Sequence, residues 1–325
     1  MKVLVTGGAG FIGSHLAQAL IARGDEVRVL DNFSTGRRQN LQEVGGDLDL
    51  LEGDIRDPAV CSAACQGVEA VLHQAALGSV PRSVEDPLSS HDVNAGGTLN
   101  LLSAAHQNGV RRFVFASSSS VYGNAPEKVK IESLPARPLS PYAVSKLAAE
   151  AYTIVFNQIY CLETVALRYF NVFGPRQDPD SMYAAVIPRF VSSLLLLQPP
   201  TIYGDGEQSR DFTFVENVVS ANLLALECPP DACGRAYNVA CGGSTSVAEI
   251  FRLLRDATGG EAVKVAALHE PSRKGDVRDS LASTDLARDC IGYVPRVDVE
   301  DGIRRTVKWY RARKPVTTPL GGSLE

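Results

Sequence analysis

The sequence predicts an α/β fold, a doubly wound parallel sheet with a smaller second domain. Three observations predict it. Short apolar runs recur along the first half of the chain with helical stretches between them. The first run ends on Gly7-Gly8-Ala9-Gly10-Phe11-Ile12-Gly13, a glycine-rich turn that opens a helix. After Asn171 the alternation loosens into short strands mixed with helices.

In order, Lys2 to Thr6 reads as a strand, Phe11 to Arg23 has helical periodicity, and Glu26 to Leu30 is a second strand. Strands are expected near Leu48 to Leu51, Ala70 to His73, Phe113 to Ala116 and Thr164 to Leu167. Helices are expected near Ser90 to Asn108 and Tyr142 to Tyr160. Pro188, Pro199 and Pro200 punctuate a helix and a short strand, and Val247 to Ala257 is helical again. No internal repeat or low-complexity segment is visible, and the tail after Lys314 is expected to fray.

A chain of 325 residues, 45% hydrophobic and 21% charged, has the composition of a globular protein with a full core. A net charge of -5 with no basic run argues against nucleic acid as partner, Arg37 and Arg38 being an isolated pair. The cysteines at 61, 65, 161, 228, 233, 241 and 290 form no CxxC pair and no zinc spacing, so no metal is expected. Cys61 and Cys65 read as small buried hydrophobes. The odd cysteine count, the lack of a signal peptide and a first strand at Lys2 lead us to expect a cytoplasmic protein. Leu194 to Leu197 is too short an apolar run to span a membrane.

The chemistry concentrates in Ser118-Ser119-Ser120-Val121-Tyr122-Gly123 and Ser140-Pro141-Tyr142-Ala143-Val144-Ser145-Lys146. Tyr142 and Lys146 are four apart and share a helix face; Ser140 can cap that helix and Pro141 suits its first turn. A free tyrosine has a pKa of about 10, and a cation a few Å away lowers it by roughly one to three units. Lys146 and an oxidised nicotinamide are candidate cations, and the lysine can also hold the cofactor ribose. A serine hydroxyl at the preceding strand end completes the grip on a substrate hydroxyl. By themselves a tyrosine and lysine four apart suggest a surface pair. Their coincidence with the glycine turn and serine run points to a dinucleotide site beside a proton-transfer group.

Gly7 permits the tight turn, Gly10 lets the backbone approach a pyrophosphate, and Gly13 lets helix and strand pack closely. The spacing is GxxGxxG. Asp31, at the end of the second strand, is placed to bind ribose hydroxyls and repel a 2'-phosphate, which favours NAD over NADP. Arg37 and Arg38 weigh on the other side, as groups that could accept that phosphate.

The chain resembles the extended short-chain dehydrogenases/reductases, and among them the NAD-dependent nucleotide-sugar 4-epimerases of the UDP-glucose and UDP-N-acetylglucosamine type. The likeness runs from Lys2 to Trp309. Besides the segments above it rests on Asp31-Asn32, Gly53-Asp54-Ile55, His73-Gln74-Ala75-Ala76, Asn94, Arg168-Tyr169-Phe170-Asn171-Val172-Phe173-Gly174-Pro175 and Gly206-Glu207-Gln208-Ser209-Arg210-Asp211-Phe212. It implies an NAD-binding Rossmann domain over 1–175 with a returning segment near 211–240. A discontinuous α/β substrate domain over 176–314 and a tail over 315–325 would complete the chain. Cofactor contacts are implied for Gly7, Gly10, Phe11, Ile12, Gly13, Asp31, Asn32, Asp54, Ile55, Gln74, Ala75, Ala76, Asn94, Tyr142, Lys146 and Phe170. Ser118 aligns with the catalytic serine, with Ser119 as fallback. Ser79, Ser118, Asn171, Arg210, Arg273 and Ser280 are implied on the UDP-sugar. A homodimer is implied through the helices from Ser90 and from Tyr142.

Related dehydratases and decarboxylases carry acids where this chain has Ser119 and Ser120, so reversible oxidation at one carbon is the reaction that remains. Ser280 stands where epimerases restricted to unsubstituted hexoses hold a tyrosine, which leads us to expect UDP-N-acetylglucosamine and UDP-N-acetylgalactosamine. UDP-glucose and UDP-galactose, or uronic acids paired by Arg82 or Arg176, are the alternatives. A non-catalytic NAD-binding protein is the distant one.

Overall fold

The computed structural model describes residues 1–179, 185–271 and 279–313. Its main sheet has seven parallel strands. In spatial order they are Arg235–Val239, Glu163–Tyr169, Arg112–Ser118, Ala70–His73, Lys2–Thr6, Glu26–Asp31 and Asp49–Glu52. The last strand to join, Arg235–Val239, arrives from beyond Asn171 and pairs with Glu163–Tyr169.

Strand alternation explains why helices cover both faces. Val3, Val5, Val27, Val29, Leu72 and Val114 point to one side, where they pack with Leu16, Leu20, Val218 and Ala221. Leu4, Leu30, Val71, Phe113 and Phe115 point to the other, against Leu101, Leu102, Ala149 and Phe156. Each such side chain, fully buried, contributes about 1.5–3 kcal/mol. Cys61 and Cys65 are 0% exposed in this second cluster, as small hydrophobes.

From Lys2–Thr6 the chain moves outward to Glu26–Asp31 and Asp49–Glu52, then crosses back to Ala70–His73 on the other side. That reversal leaves a crevice at the C-terminal ends of Lys2–Thr6 and Ala70–His73, the place where such sheets bind ligands. The helix expected from Ser90 is interrupted: Pro87–His91 and Gly97–Gln107 are joined by a π turn, Asp92–Gly96.

Beyond the C-terminal edge lies a third cluster built on Phe173, Phe190, Phe212, Phe214, Ile250 and Phe251. It is framed by the helices Val186–Leu195, Val247–Thr258 and Val299–Ala312. Pro188 falls in the first turn of its helix, where a missing N–H breaks no bond, so it does not interrupt the helix. A small four-stranded sheet runs Thr245–Ser246, Ser209–Arg210, Asp279–Ala282 and Val129–Lys130. Among the described residues no helix is long and apolar enough to cross a membrane.

Candidate active site

The glycine turn is sterically obligatory. Gly7 has φ +66°, and a Cβ on it would lie 2.8 Å from Ala75 N. A Cβ on Gly13 would lie 2.1 Å from Gly7 O, so helix Phe11–Ala22 can sit this close only with glycine there. Gly10 caps that helix without a side chain, leaving its first N–H groups open to an anion.

Asp31 is 7% exposed and accepts from Ala9 N at 2.9 Å and Phe33 N at 2.8 Å, while burial pushes its carboxyl above the usual value. Asn32 Nδ2 donates to Asp54 Oδ2 at 2.8 Å. Hydrogen bonds from Arg56, with help from Asn32, hold Asp54 down at about 2. Arg37 pairs with Asp178 at 2.7 Å, and Arg38 pairs with Glu52 and stacks 4.0 Å over Phe33. Both arginines are therefore engaged by carboxylates.

A cleft of about 710 Å³ joins these groups to Asn32, Ile55, Gln74, Ala75 and Ala76, and runs on past Ser79 to Tyr142 and Lys146. Ser79 caps the helix Val80–Glu85 by accepting from Arg82 N at 3.2 Å. Gln74 is braced by Tyr169, whose hydroxyl donates to its Oε1 at 3.2 Å, and donates in turn to Asn222 Oδ1 at 3.2 Å.

Helix Pro141–Tyr160 is capped by Ser140, whose hydroxyl accepts from Ala143 N at 3.2 Å, and begins with Pro141, as its sequence predicts. Lys146 is 4% exposed; its Nζ donates to Ala116 O at 2.9 Å and lies 4.9 Å from the Phe115 ring centroid. Burial lowers the Lys146 ammonium to about 7. Burial also pushes the Tyr142 phenol up, and a hydrogen bond with Ser118 pulls it down. The sequence assigns that lowering to Lys146. In the folded chain the lysine head is held by the strand carbonyl of Ala116, and burial outweighs the Ser118 hydrogen bond, so the phenol stands above its ordinary value and not below it.

Ser118 accepts from Ser120 N at 3.2 Å and Ser120 Oγ at 2.9 Å. Ser119 opens the short 3-10 turn Ser119–Tyr122, and it is Ser118 that faces Tyr142. Asn94, in the π turn, accepts from Leu77 N at 2.8 Å and donates to Ser145 Oγ at 3.0 Å. It is 1% exposed and ties the loop after Ala76 to the helix Pro141–Tyr160 without lining the cleft. The Phe170 side chain is 0% exposed and packs with Val121, Tyr122, Ala240 and Ala282, so it is core and not cleft wall as the resemblance implies. The strand end that carries it turns its ring under the serine turn.

Two buried networks were not read from the sequence. His73 Nδ1 lies 2.6 Å from Thr6 Oγ1, and Nε2 lies 2.9 Å from Thr98 Oγ1. Thr98 spends its proton on Asn94 O at 2.6 Å, so it accepts from Nε2–H and Nδ1 accepts from Thr6. Burial, reinforced by Lys146, lowers His73 to about 3 and keeps it neutral. In the second network Ser117 donates to Glu150, which pairs with Arg168, which in turn holds Tyr122. The available signal was the stripe Tyr142, Lys146, Glu150, which continues one turn past the tyrosine–lysine pair.

A second cleft of about 470 Å³ is lined by Asn171, Phe190, Tyr203, Gln208 and Arg210 among others. Asn171 (φ +34°) donates to Asp211 O at 3.2 Å. Asp211, 0% exposed, accepts from Cys241 N at 2.8 Å and Gly242 N at 3.0 Å, and burial raises it to about 6. Ser280, half-buried, is the strand partner of Arg210, so the two project to the same face. Arg273 lies outside the described residues. Arg82 lines the first cleft near Ser79. Arg176 gives Nε to Glu43 at 3.2 Å and Nη2 to Gln18 at 2.6 Å, which commits those donors away from a sugar carboxylate.

Residues 3–240 match the NAD dependent epimerase/dehydratase family. A UDP-glucose 4-epimerase of Mycolicibacterium smegmatis is 39% identical over 315 residues, covering 96% of this chain and 99% of that protein. The UDP-N-acetylglucosamine 4-epimerase of Methanobrevibacter ruminantium, solved with UDP-N-acetylmuramic acid, superposes with a TM-score of 0.90 at 40% identity, covering 96% of this chain and 98% of that one. The UDP-glucose 4-epimerase of Thermus thermophilus, solved with NAD, gives 0.85 at 41% identity, with 96% and 99% covered.

Proposed function

This chain belongs to the NAD dependent epimerase/dehydratase family, and we propose that it interconverts the 4-epimers of a UDP-sugar, UDP-N-acetylglucosamine and UDP-N-acetylgalactosamine being the pair it serves. The observation that carries the reaction is that Tyr142, which lines the cleft together with Lys146, meets Ser118 behind it, with serines and no carboxylate at positions 119 and 120.

The first cleft fits NAD. The uncapped start of helix Phe11–Ala22 and the glycine cradle suit a pyrophosphate, and the Asp31 carboxylate suits ribose hydroxyls while repelling a 2'-phosphate. When bound, NAD supplies the acceptor, and afterwards the donor, of the hydride at sugar C4. Tyr142, as phenolate, accepts the 4-hydroxyl proton, and Ser118 stabilises that phenolate. Lys146, pulled toward neutrality by burial, regains its proton beside an anion and can hold a ribose hydroxyl. Tyr142 then returns the proton to the inverted alkoxide.

Inversion requires the 4-keto sugar to turn over while the nucleotide stays held. Arg210 and Asn171, in the second cleft, suit a phosphate group there, with Phe190 and Tyr203 as apolar walls for the remainder. The N-acetyl preference rests on Ser280, whose small side chain beside Arg210 leaves room that a tyrosine would fill.

The test is proton NMR of the purified protein with UDP-N-acetylglucosamine and, in parallel, UDP-glucose, with no NAD added. Appearance of the galacto epimer from the N-acetylated sugar is the expected result. Conversion of UDP-glucose alone would overturn the sugar assignment, and conversion of neither would overturn the reaction.

A further inference from the structure

Two of the seven cysteines meet at the N-terminal end of the main sheet, the end opposite the first cleft. Cys228 terminates helix Val215–Glu227. Cys233 follows the 3-10 turn Pro230–Ala232, in which Ala232 N donates to Pro229 O and Cys233 N to Pro230 O, each at 3.0 Å. That turn folds the chain back until the two thiols act on each other, while each also reaches a backbone carbonyl, Cys228 Sγ to Ala225 O at 3.4 Å and Cys233 Sγ to Pro229 O at 3.8 Å.

Arg112, the first residue of strand Arg112–Ser118, is 1% exposed and aims Nη1 at Cys228 Sγ at 2.8 Å. Its other donors are spent on Ala225 O at 2.6 Å, Cys228 O at 2.8 Å and Glu163 Oε2 at 2.9 Å. A fixed cation therefore touches one sulfur, and a second sulfur stands against the first. The Cys233 hydrogen bond, with the guanidinium behind it, holds the Cys228 thiol below its ordinary value against the effect of burial. Cys233 is pushed the other way by the same bond and by burial. One sulfur is made nucleophilic and its neighbour keeps a proton to give.

Access separates this pair from the other buried thiols. Cys228 and Cys233 keep 6% and 7% exposure beneath the exposed residues Pro229, Pro230 and Asp231. Cys61 and Cys65 are sealed at 0%, and burial pushes both up to about 12.

We propose that Cys228 and Cys233 are an oxidation site, at which a hydroperoxide oxidises Cys228 and Cys233 then closes a disulfide. The Cys228 thiolate attacks the peroxide, the O–O bond breaks, and Cys228 becomes a sulfenic acid while the departing oxygen takes a proton and leaves as alcohol or water. The Cys233 sulfur then attacks the sulfenic sulfur, its proton leaves with the hydroxyl as water, and the S–S bond forms. Two thiols lose two electrons and the peroxide gains them. Neither cysteine is among the residues lining the two clefts described above, so this site stands apart from the epimerase reading.

The test uses the folded, full-length protein exposed to sub-stoichiometric hydrogen peroxide, then alkylation, digestion and mass spectrometry. A peptide linked through Cys228 and Cys233, lighter by two hydrogens, is expected before the exposed Cys161 is oxidised. In Cys233→Ser the sulfenic acid persists, and dimedone labels Cys228; in Cys228→Ser, Cys233 takes no label. Retained turnover of Cys233→Ser verifies its fold. Oxidant consumed at Cys161 with Cys228 intact, or dimedone on Cys233 with Cys228 present, would overturn the proposal.

Discussion

Arg168 and Glu150 form a buried pair, Nη2 to Oε1 at 2.6 Å with side chains 9% and 3% exposed, directly under the serine turn. Arg168 comes from the strand Glu163–Tyr169 and Glu150 from the helix Pro141–Tyr160, two turns beyond Tyr142. The pair gathers Ser117 Oγ at 2.5 Å and Tyr122 OH at 2.8 Å, and Tyr122 reaches Asn238 Oδ1 at 2.7 Å. It locks the strand end that carries Ser118 to the helix that carries Tyr142 and Lys146.

Removing one partner leaves the other charge buried. Glu150→Ala is expected to cost about 3–5 kcal/mol in urea unfolding, with Arg168 stranded. Tyr122→Phe breaks only two hydrogen bonds and is expected to cost about 1–3 kcal/mol. Equal costs for the two variants would show that the ion pair is not the keystone.

Ser118 has two lone pairs, and Ser120 N and Ser120 Oγ fill them, so its own proton remains for Tyr142. Tyr142→Phe is expected to lower kcat by roughly 100- to 10,000-fold while retaining NAD. Ser120→Ala keeps the backbone bond but removes the hydroxyl donor. The acid limb of its kcat–pH profile is expected to move up by roughly half a unit, because the proposed reaction runs through the phenolate and its stabilising chain is shortened. Ser120→Thr is expected to restore the limb; a profile unmoved in Ser120→Ala would exclude the relay.

Burial keeps His73 neutral in the fold down to about pH 3, whereas an unfolded histidine takes up its proton near 6.5. Between these values the unfolded chain binds more protons. The stability this contributes is fully present above about pH 6.5 and is lost as pH falls through that window. At pH 5 the loss is roughly 2 kcal/mol. Urea unfolding of the protein and of His73→Gln, compared at pH 7 and 5, checks this. The variant is expected to be weaker at pH 7 and flatter between the two, and parallel slopes would refute the assignment.

Ser280→Tyr is expected to lower kcat/KM on UDP-N-acetylglucosamine by roughly 5- to 150-fold, the equivalent of about 1–3 kcal/mol of overpacking, and to spare UDP-glucose. Undiminished turnover of the N-acetylated sugar would remove Ser280 from the pocket wall.

Val144, Val155 and Ile159 are exposed on one face of the helix Pro141–Tyr160, and Leu88, on the short helix packed against it, is 81% exposed. An apolar stripe of this kind suits a second copy of the chain. Sedimentation is expected to give a dimer that Val155→Glu with Ile159→Glu dissociates. A monomer at micromolar concentration would count against this face.

The cofactor half of the site was legible in the sequence because its signals are local. A glycine turn, an acid at the end of the next strand and a tyrosine four residues before a lysine each act through near neighbours, and backbone geometry fixes what such spacings do. The alternation of apolar runs likewise determined a parallel sheet with helices on both faces. Only the tertiary structure decided which serine meets Tyr142, that Arg37 and Arg38 are taken by Asp178 and Glu52, and that Phe170 turns into the core. It also set Glu150 against Arg168 and Arg112 against Cys228. These contacts join residues far apart in the chain. Their charge states and directions follow from burial and from competition for hydrogen bonds, which exist only once the distant segments have been packed together.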